Sequence, residues 1–377
     1  MSWMGIWGCD ELALQFARAN RRGRLGGSFL FVGPSGVGKR TFAFALGKTL
    51  LCRRHFAKLG AGVNGSSAAD LTLTDEEELA RFTPCEECES CRQFDLHAES
   101  ECVVVPNHPD FHYVCKPADR SLLPISLLVG DPEDRNQSGL CFELNQTAYM
   151  GGRKIAVIDD ADYFNQEGAN ALLKTLEEPP EHTLIILIGT SATKQLPTIR
   201  SRCQIFRFAP LEREQVAEAL LRRRKVETRE EAENVARYAN GSMTEAYRAL
   251  DSDFTLFQRA LLDALAQRRI EAVELAKKVV EYVDKASKEA IVRRPRLQNV
   301  LRAALAFYRA IFSNEPAPDA ELERVIEQAR KSGYSEESAI QCAERTLTAL
   351  EQIDQNANLP YIIEAWLYEV AAIARKM

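Results

Sequence analysis

The sequence predicts an α/β fold: a parallel sheet in the first half, then a small helical domain and a C-terminal all-helical domain. Three observations predict it. Continuous apolar runs at 29–32 (FLFV), 155–158 (IAVI) and 184–188 (LIILI) suit strands buried on both faces, as in a parallel sheet. Helical composition up to Leu51 and over 165–177 alternates with them, as crossover connections require. After Pro210 the apolar residues recur at helical spacing, first Val216, Ala219 and Leu220, then Ala232, Val235 and Ala236. Residues 256–377 are helical in pattern almost throughout, with breaks at 313–318 (SNEPAP) and at Leu359-Pro360. The expected domains are therefore 1–208, 209–253 and 254–377. An amphipathic helix is expected over 1–22, with Trp3, Ile6 and Trp7 at its start. Small residues at 60–69 (GAGVNGSSAA) and the acidic run 75–78 read as a flexible loop or insertion.

At about 150 residues per domain, 377 residues make two or three domains. With 46% apolar and 27% charged residues, general disorder is excluded. A net charge of −6 argues against non-specific coating of nucleic acid, which depends on neutralising many phosphates. No apolar run approaches the ~18 residues of a membrane-spanning helix, and MSWMGIWGCDEL lacks the pattern of a secretory signal, so a cytoplasmic protein is expected. The ten cysteines are unevenly spread, three of them within seven residues. That pattern suits a reducing compartment and a metal site better than a disulfide scaffold.

Residues 33–39, Gly33-Pro34-Ser35-Gly36-Val37-Gly38-Lys39, fit the phosphate-loop pattern G-x-x-x-x-G-K between a strand and a helix. Its glycines let successive N–H groups face a phosphate, while the helix N-terminus and Lys39 add positive charge. The next position normally carries a Ser or Thr whose hydroxyl ligates Mg²⁺, and here it is Arg40. Thr41 lies one residue later, turned about 100° around the helix, and is no simple substitute. The motif thus points to ATP binding without metal-assisted turnover. A bare glycine turn joining strand to helix is the plainer alternative.

The strand 155–158 ends in Asp159-Asp160-Ala161-Asp162, the Walker B pattern. Asp159 would hold Mg²⁺, and Asp160 stands where a longer Glu usually orients the attacking water. One methylene less displaces that base by ~1 Å, which costs about 10²-fold in rate. Cys85-x-x-Cys88-x-x-Cys91 has the spacing of a structural zinc site, where a fourth ligand is needed. Cys52, His97, Cys102 and His108 are the candidates.

Taken in order, GCDEL, GPSGVGKRT, the cysteine cluster followed by HPDF (108–111), IDDAD, NALLKTLEEPP and LPTIRSRC resemble the AAA+ clamp-loader family, most like the delta-prime type of bacterial DNA polymerase III. The motifs cover roughly residues 1–250, and the rest resembles the family's helical collar in composition and placement alone. The resemblance implies an AAA+ P-loop domain with an inserted zinc module at about 52–91, a helical lid and a collar. It makes Cys52 the fourth zinc ligand, although 32 residues separate it from Cys85. Loop-closure entropy rises slowly with length, so that insertion is compatible with the site. It counts Thr190, after the 184–188 run, among the nucleotide-site residues. Arg202 of Ser201-Arg202-Cys203 becomes an arginine finger delivered to a neighbouring subunit's ATP. The lid segment Gly241-Ser242-Met243-Thr244 carries threonine where active subunits have a nucleotide-sensing arginine. Together these residues imply a scaffold with no ATPase of its own, whose partners are tau/gamma-type and delta-type subunits and, through the complex, the sliding clamp and primed DNA. An active tau/gamma-type ATPase and a zinc-containing nucleic-acid-binding module with a vestigial nucleotide fold are the alternatives. Polymerase chemistry would belong to the larger holoenzyme. The basic clusters 222–225 and 293–296 read as solvated faces or subunit contacts before DNA contacts, and 116–139 has no assigned role.

Overall fold

The computed structural model describes residues 2–55, 73–94, 98–99, 104–117, 120–131, 133, 137–150, 152–285, 290–313, 320–355 and 357–376. The 60–69 stretch, His97, Cys102 and most of SNEPAP lie outside the described residues. The chain forms two compact units, Met1–Ala246 and Tyr247–Met377.

The first unit is built on a five-stranded sheet: β1 (Gly27–Val32), β2 (Phe111–Val114), β3 (Lys154–Ile158), β4 (Thr183–Gly189) and β5 (Gln204–Arg207). All pairings are parallel, in the order β2-β3-β4-β1-β5. The three expected strands lie where the apolar runs placed them. Strands β2 and β5 are shorter edge strands with partly exposed residues, and no continuous apolar run marked them.

Side chains alternate between the two faces, as the period of two demands. Phe29, Phe31, Ile155, Val157, Leu184, Ile186 and Ile188 pack on the face holding α1 (Asp10–Arg21) and α2 (Lys39–Leu51). Leu30, Val32, Ala156, Ile158, Ile185 and Leu187 pack on the other, under α4 (Gln166–Glu177). The 116–139 stretch now has a packing role, since its Leu123 and Leu128 are fully buried in that second layer. Six phenylalanines, at 16, 29, 31, 42, 206 and 208, meet around β1 with ring centroids 4.8–6.0 Å apart.

Two expectations change. The first helix begins at Asp10, not near residue 1. Met4 (φ 51°) leaves the helical region, Trp3 bridges to Ile6, and the Trp3 N–H donates to Asp10 Oδ1 at 2.7 Å. The acidic run 75–78 is not loop. It opens helix α3 (Asp75–Arg81), because Thr74 and Glu77 form a reciprocal capping box and the acids sit at the positive helix end. Arg18–Asp75 (2.5 Å) and Arg21–Glu78 (3.2 Å) pair α1 with α3.

The second unit is all helical: Ser252–Leu265, Ala272–Asp284, Ala290–Ser313, Ala320–Lys331, Glu336–Asp354 and Leu359–Arg375. Its core includes Phe307, Tyr308 and Trp366, with Trp366 Nε1 donating to Thr346 Oγ1 at 2.9 Å. The basic cluster 293–296 is used inside this unit. Arg293 pairs with Asp284, Arg294 donates to the Ile353 carbonyl at 2.8 Å, and Arg296 lies 4.0 Å over the Tyr282 ring. No helix among the described residues is long and apolar enough to cross a membrane.

Trp3 joins the N-terminal turn to α2 and to Phe82, just past α3. Its ring lies 5.3 Å from Phe42 and 5.7 Å from Phe82, and Nε1 donates to the Phe82 carbonyl at 2.7 Å. Trp3→Ala should therefore lower the stability of this unit by about 3–5 kcal/mol, read as a shifted urea midpoint at unchanged slope.

Candidate functional site

Parallel pairing brings the C-terminal ends of β1, β3 and β4 to one edge of the sheet, and the sequence motifs follow those ends. The loop after β1 turns into α2 at Gly38, whose φ of 96° is left-handed. Val37 turns its side chain into the core. Lys39 is buried, and Nζ donates to the carbonyls of Gly33 and Pro34, each at 2.6 Å. Burial lowers its pKa, against the charges of Asp159 and Asp162. In this state the lysine bonds its own loop, so a phosphate must draw it away from two carbonyls.

Gly36 has φ 80°, and a Cβ there would lie 2.1 Å from Ser242 Oγ and 2.8 Å from Thr244 Oγ1. The Met243 N–H donates to the Gly36 carbonyl at 2.9 Å. Ser242, Met243 and Thr244 therefore sit directly on the phosphate loop. They open the short helix that follows Arg213–Arg222 and Arg229–Tyr238.

Arg40, the second residue of α2, turns toward the acidic strand end, and its Nε donates to Asp159 Oδ2 at 2.5 Å. Tyr113 of β2 donates to the same oxygen at 3.1 Å, and the Asp160 N–H donates to Asp159 Oδ1 at 2.9 Å. Asp160 is left-handed (φ 57°), and burial, reinforced by the Asp159 charge, raises its pKa to about 6. Thr41 is exposed. Thr190 follows β4, and its N–H and Oγ1 both donate to Asp162 Oδ2, at 2.8 and 2.5 Å. Gln195 holds the other oxygen of Asp162.

Arg202 is placed after the short helix Pro197–Arg200, with its side chain 27% exposed. One Nη lies 2.5 Å from Glu177 at the end of α4, and the other donates to the Thr198 carbonyl at 3.0 Å. Its Nε is buried without a hydrogen-bond partner among the described residues.

Four cysteine sulfurs converge at the end of α2. Sγ atoms of Cys52, Cys85, Cys88 and Cys91 all lie within 4.8 Å of one another, with Cys85–Cys91 at 3.9 Å and Cys88–Cys52 at 4.0 Å. Four sulfurs around a tetrahedral ion at ~2.3 Å stand about 3.8 Å apart, so the set fits a metal ion. Backbone N–H groups already point at three of these sulfurs, from Cys85 to Cys52, from Cys88 to Cys85 and from Cys91 to Cys88. Amide hydrogen bonds lower the Cys85 pKa to about 6, whereas burial raises those of Cys52 and Cys91. His108 is not part of the set. Its Nε2 meets Ser90 Oγ at 2.9 Å and its Nδ1 accepts the Asp110 N–H at 3.1 Å, which makes it a satisfied buried histidine.

Sequence reasoning missed Tyr113, Gln195 and Glu177 as partners of the site residues. Glu177 sits inside the LEEPP segment and Tyr113 two positions after HPDF, but neither pairing has a signal in the linear spacing.

A five-stranded parallel sheet in this order, with a phosphate loop after β1, an acidic end to β3 and a helical segment seated on the loop, defines a P-loop domain of the AAA+ class. The family model for "DNA polymerase III, delta subunit" matches residues 9–212, and the chain belongs to that family. It is 32% identical to the delta-prime subunit of DNA polymerase III from Pseudomonas aeruginosa over 176 residues, 47% of this chain and 41% of that one. It is 28% identical to the Bacillus subtilis delta-prime subunit over 198 residues, 52% of this chain and 46% of that one. A match to the tau subunit of Escherichia coli runs over 250 residues at 28% identity, 65% of this chain and 32% of that one. In each case the chain spans less than half of the relative's length.

Gly36→Ala should strain both the left-handed backbone and the seat of Ser242, costing about 1–3 kcal/mol. Faster hydrogen exchange at the Met243 amide, with the second unit's helices unaffected, is the expected readout.

Proposed function

We propose that the chain is a clamp-loader subunit of the delta-prime type in bacterial DNA polymerase III, working in the cytoplasm during DNA replication. In this reading it runs no ATPase of its own and donates Arg202 to a neighbouring ATPase subunit while the sliding clamp is loaded onto primed DNA. The observation that carries the reading is Arg40 bound to Asp159, because one ion pair occupies both positions that a hydrolytic P-loop site gives to Mg²⁺. Thr244 on the phosphate loop supports it, since threonine has no bidentate contact to offer a phosphate. Arg202, partly exposed at the end of a short helix, has the chemistry to stabilise charge on a phosphate delivered by a neighbour.

The three-part division belongs to this proposal: a P-loop domain over 1–208, a lid over 209–253 whose 241–244 segment touches the loop, and a collar over 254–377 for association with tau/gamma-type and delta-type subunits. Contacts with clamp and DNA are made through the assembled complex.

Reconstitution of the full chain with those subunits tests the reading. Arg202→Ala should slow hydrolysis at the adjoining site by about 10³-fold or more and depress clamp loading, with assembly intact by gel filtration. Clamp loading equal to wild type would refute the donated arginine. The match to a tau subunit supports a second reading, an active ATPase of the tau/gamma type. Magnesium-dependent ATP turnover by the isolated chain, at a rate typical of the assembled machine, would select it.

Zinc at Cys52, Cys85, Cys88 and Cys91 is part of the proposal, as a closed structural site with no open coordination position. Metal analysis should find one zinc per chain. Its removal should make the four thiols react with an alkylating reagent and lower the melting temperature of the first unit.

A further inference from the structure

P-loop sites hold Mg²⁺ with a hydroxyl after the lysine and an acid at the end of the neighbouring strand. Neither is available here. The hydroxyl position is Arg40. Asp159, with its side chain 8% exposed, has one oxygen shared by Arg40 Nε and Tyr113 and the other bonded to the Asp160 N–H. Nearby acids do not rebuild the site. Asp162 is taken by Thr190 and Gln195, and Asp160 is bonded by the backbone of Lys116. A divalent ion at this position would meet a guanidinium bound to the buried carboxylate it needs, so the residues present do not fit Mg²⁺.

The same arrangement keeps what a phosphate needs. Through Nε alone Arg40 satisfies Asp159, which leaves its two Nη groups, four N–H donors, without a protein partner among the described residues. The side chain remains 42% exposed and starts one residue after Lys39, at the N-terminus of the 13-residue helix α2. The guanidinium fork suits phosphate oxygens, and Asp159 aligns it from behind.

We propose that Arg40 is the built-in cation of this site, bridging Asp159 to the phosphates of a nucleotide that binds without divalent metal. The proposal rests on reading the 33–41 loop as a nucleotide site and adds to that reading the chemical form of the ligand, a metal-free nucleoside polyphosphate. An ordinary P-loop site borrows its cation from solution with each ligand. Here the cation is covalently part of the chain, always present and unable to leave with the ligand.

The test is ATP binding to the full chain by calorimetry, in excess EDTA and in excess Mg²⁺. The expected affinity in EDTA is equal to or above that in Mg²⁺. Arg40→Ser, which restores a hydroxyl and frees Asp159, should reverse this and bind at least about tenfold tighter with Mg²⁺, equivalent to about 1.4 kcal/mol. Arg40→Lys keeps the charge but not the fork, so its binding should stay independent of metal and be weaker than wild type. Electron paramagnetic resonance of Mn²⁺ with protein and no nucleotide gives a second readout, in which Arg40→Ser acquires bound Mn²⁺ and wild type does not. Tenfold tightening by Mg²⁺ in the wild type would overturn the built-in cation while leaving the loop a nucleotide site. No ATP binding in either condition would overturn the loop reading as well. Neither result would touch the role proposed for Arg202, which the reconstitution measures separately.

Discussion

Strand β1 is paired on both edges and buried on both faces, and the functional geometry of the first unit depends on that confinement. A strand so held cannot shift register without moving its phenylalanines out of the aromatic cluster. Its C-terminal end is therefore a fixed point, and the phosphate loop begins there. Strand β4, its direct neighbour, and β3 beyond it end on the same edge, which places Thr190 and Asp159 beside a loop they are more than a hundred residues from in the chain. The four-cysteine cluster uses the same rigid path. Cys52 caps the end of α2, the helix that Lys39 begins, so the loop and the four sulfurs are the two ends of one helix.

The charged groups at the sheet edge are hydrogen-bonded within the protein. Asp159 faces Arg40, Asp162 accepts from Thr190 and Gln195, and Lys39 bonds carbonyls of its own loop. Ordinary P-loop sites leave an acid and a hydroxyl waiting for a divalent ion. The substitution at position 40 removes both vacancies at once, since arginine deletes the hydroxyl and also neutralises the acid. Such a partly buried, hydrogen-bonded pair is costly to break from one side, because the remaining charge would be stranded.

Much of this was legible in the chain. Continuous apolar runs marked the three central strands, and helical spacing marked both helical regions, because those signals are local and repeat every two or 3.6 residues. The phosphate loop, the acidic strand end and the cysteine triplet were legible because each is a short motif with its chemistry in sequence. The short edge strands β2 and β5 were not, since a partly exposed run of four residues has no distinctive pattern. Helix α3 was misread from its acids, when the informative residue was Thr74 one step before them. The sequence showed that Arg40 removed a hydroxyl, but its grip on Asp159 spans 119 positions and only the fold discloses it. The basic run 293–296 likewise looked external and proved to be spent on carbonyl, carboxylate and ring within its own unit.

The pairing of Arg202 with Glu177 at 2.5 Å has a consequence for how far that arginine can be felt. A lone guanidinium projects the field of a charge, whereas one held against a carboxylate projects that of a dipole, which fades faster with distance and is screened further by salt over about 10 Å. Distant anions are therefore not drawn to it. An anion must already be at contact range, with its own oxygens in place of those of Glu177, before the positive charge is worth anything to it. The positive charge of Arg202 is thus short-ranged in open solution.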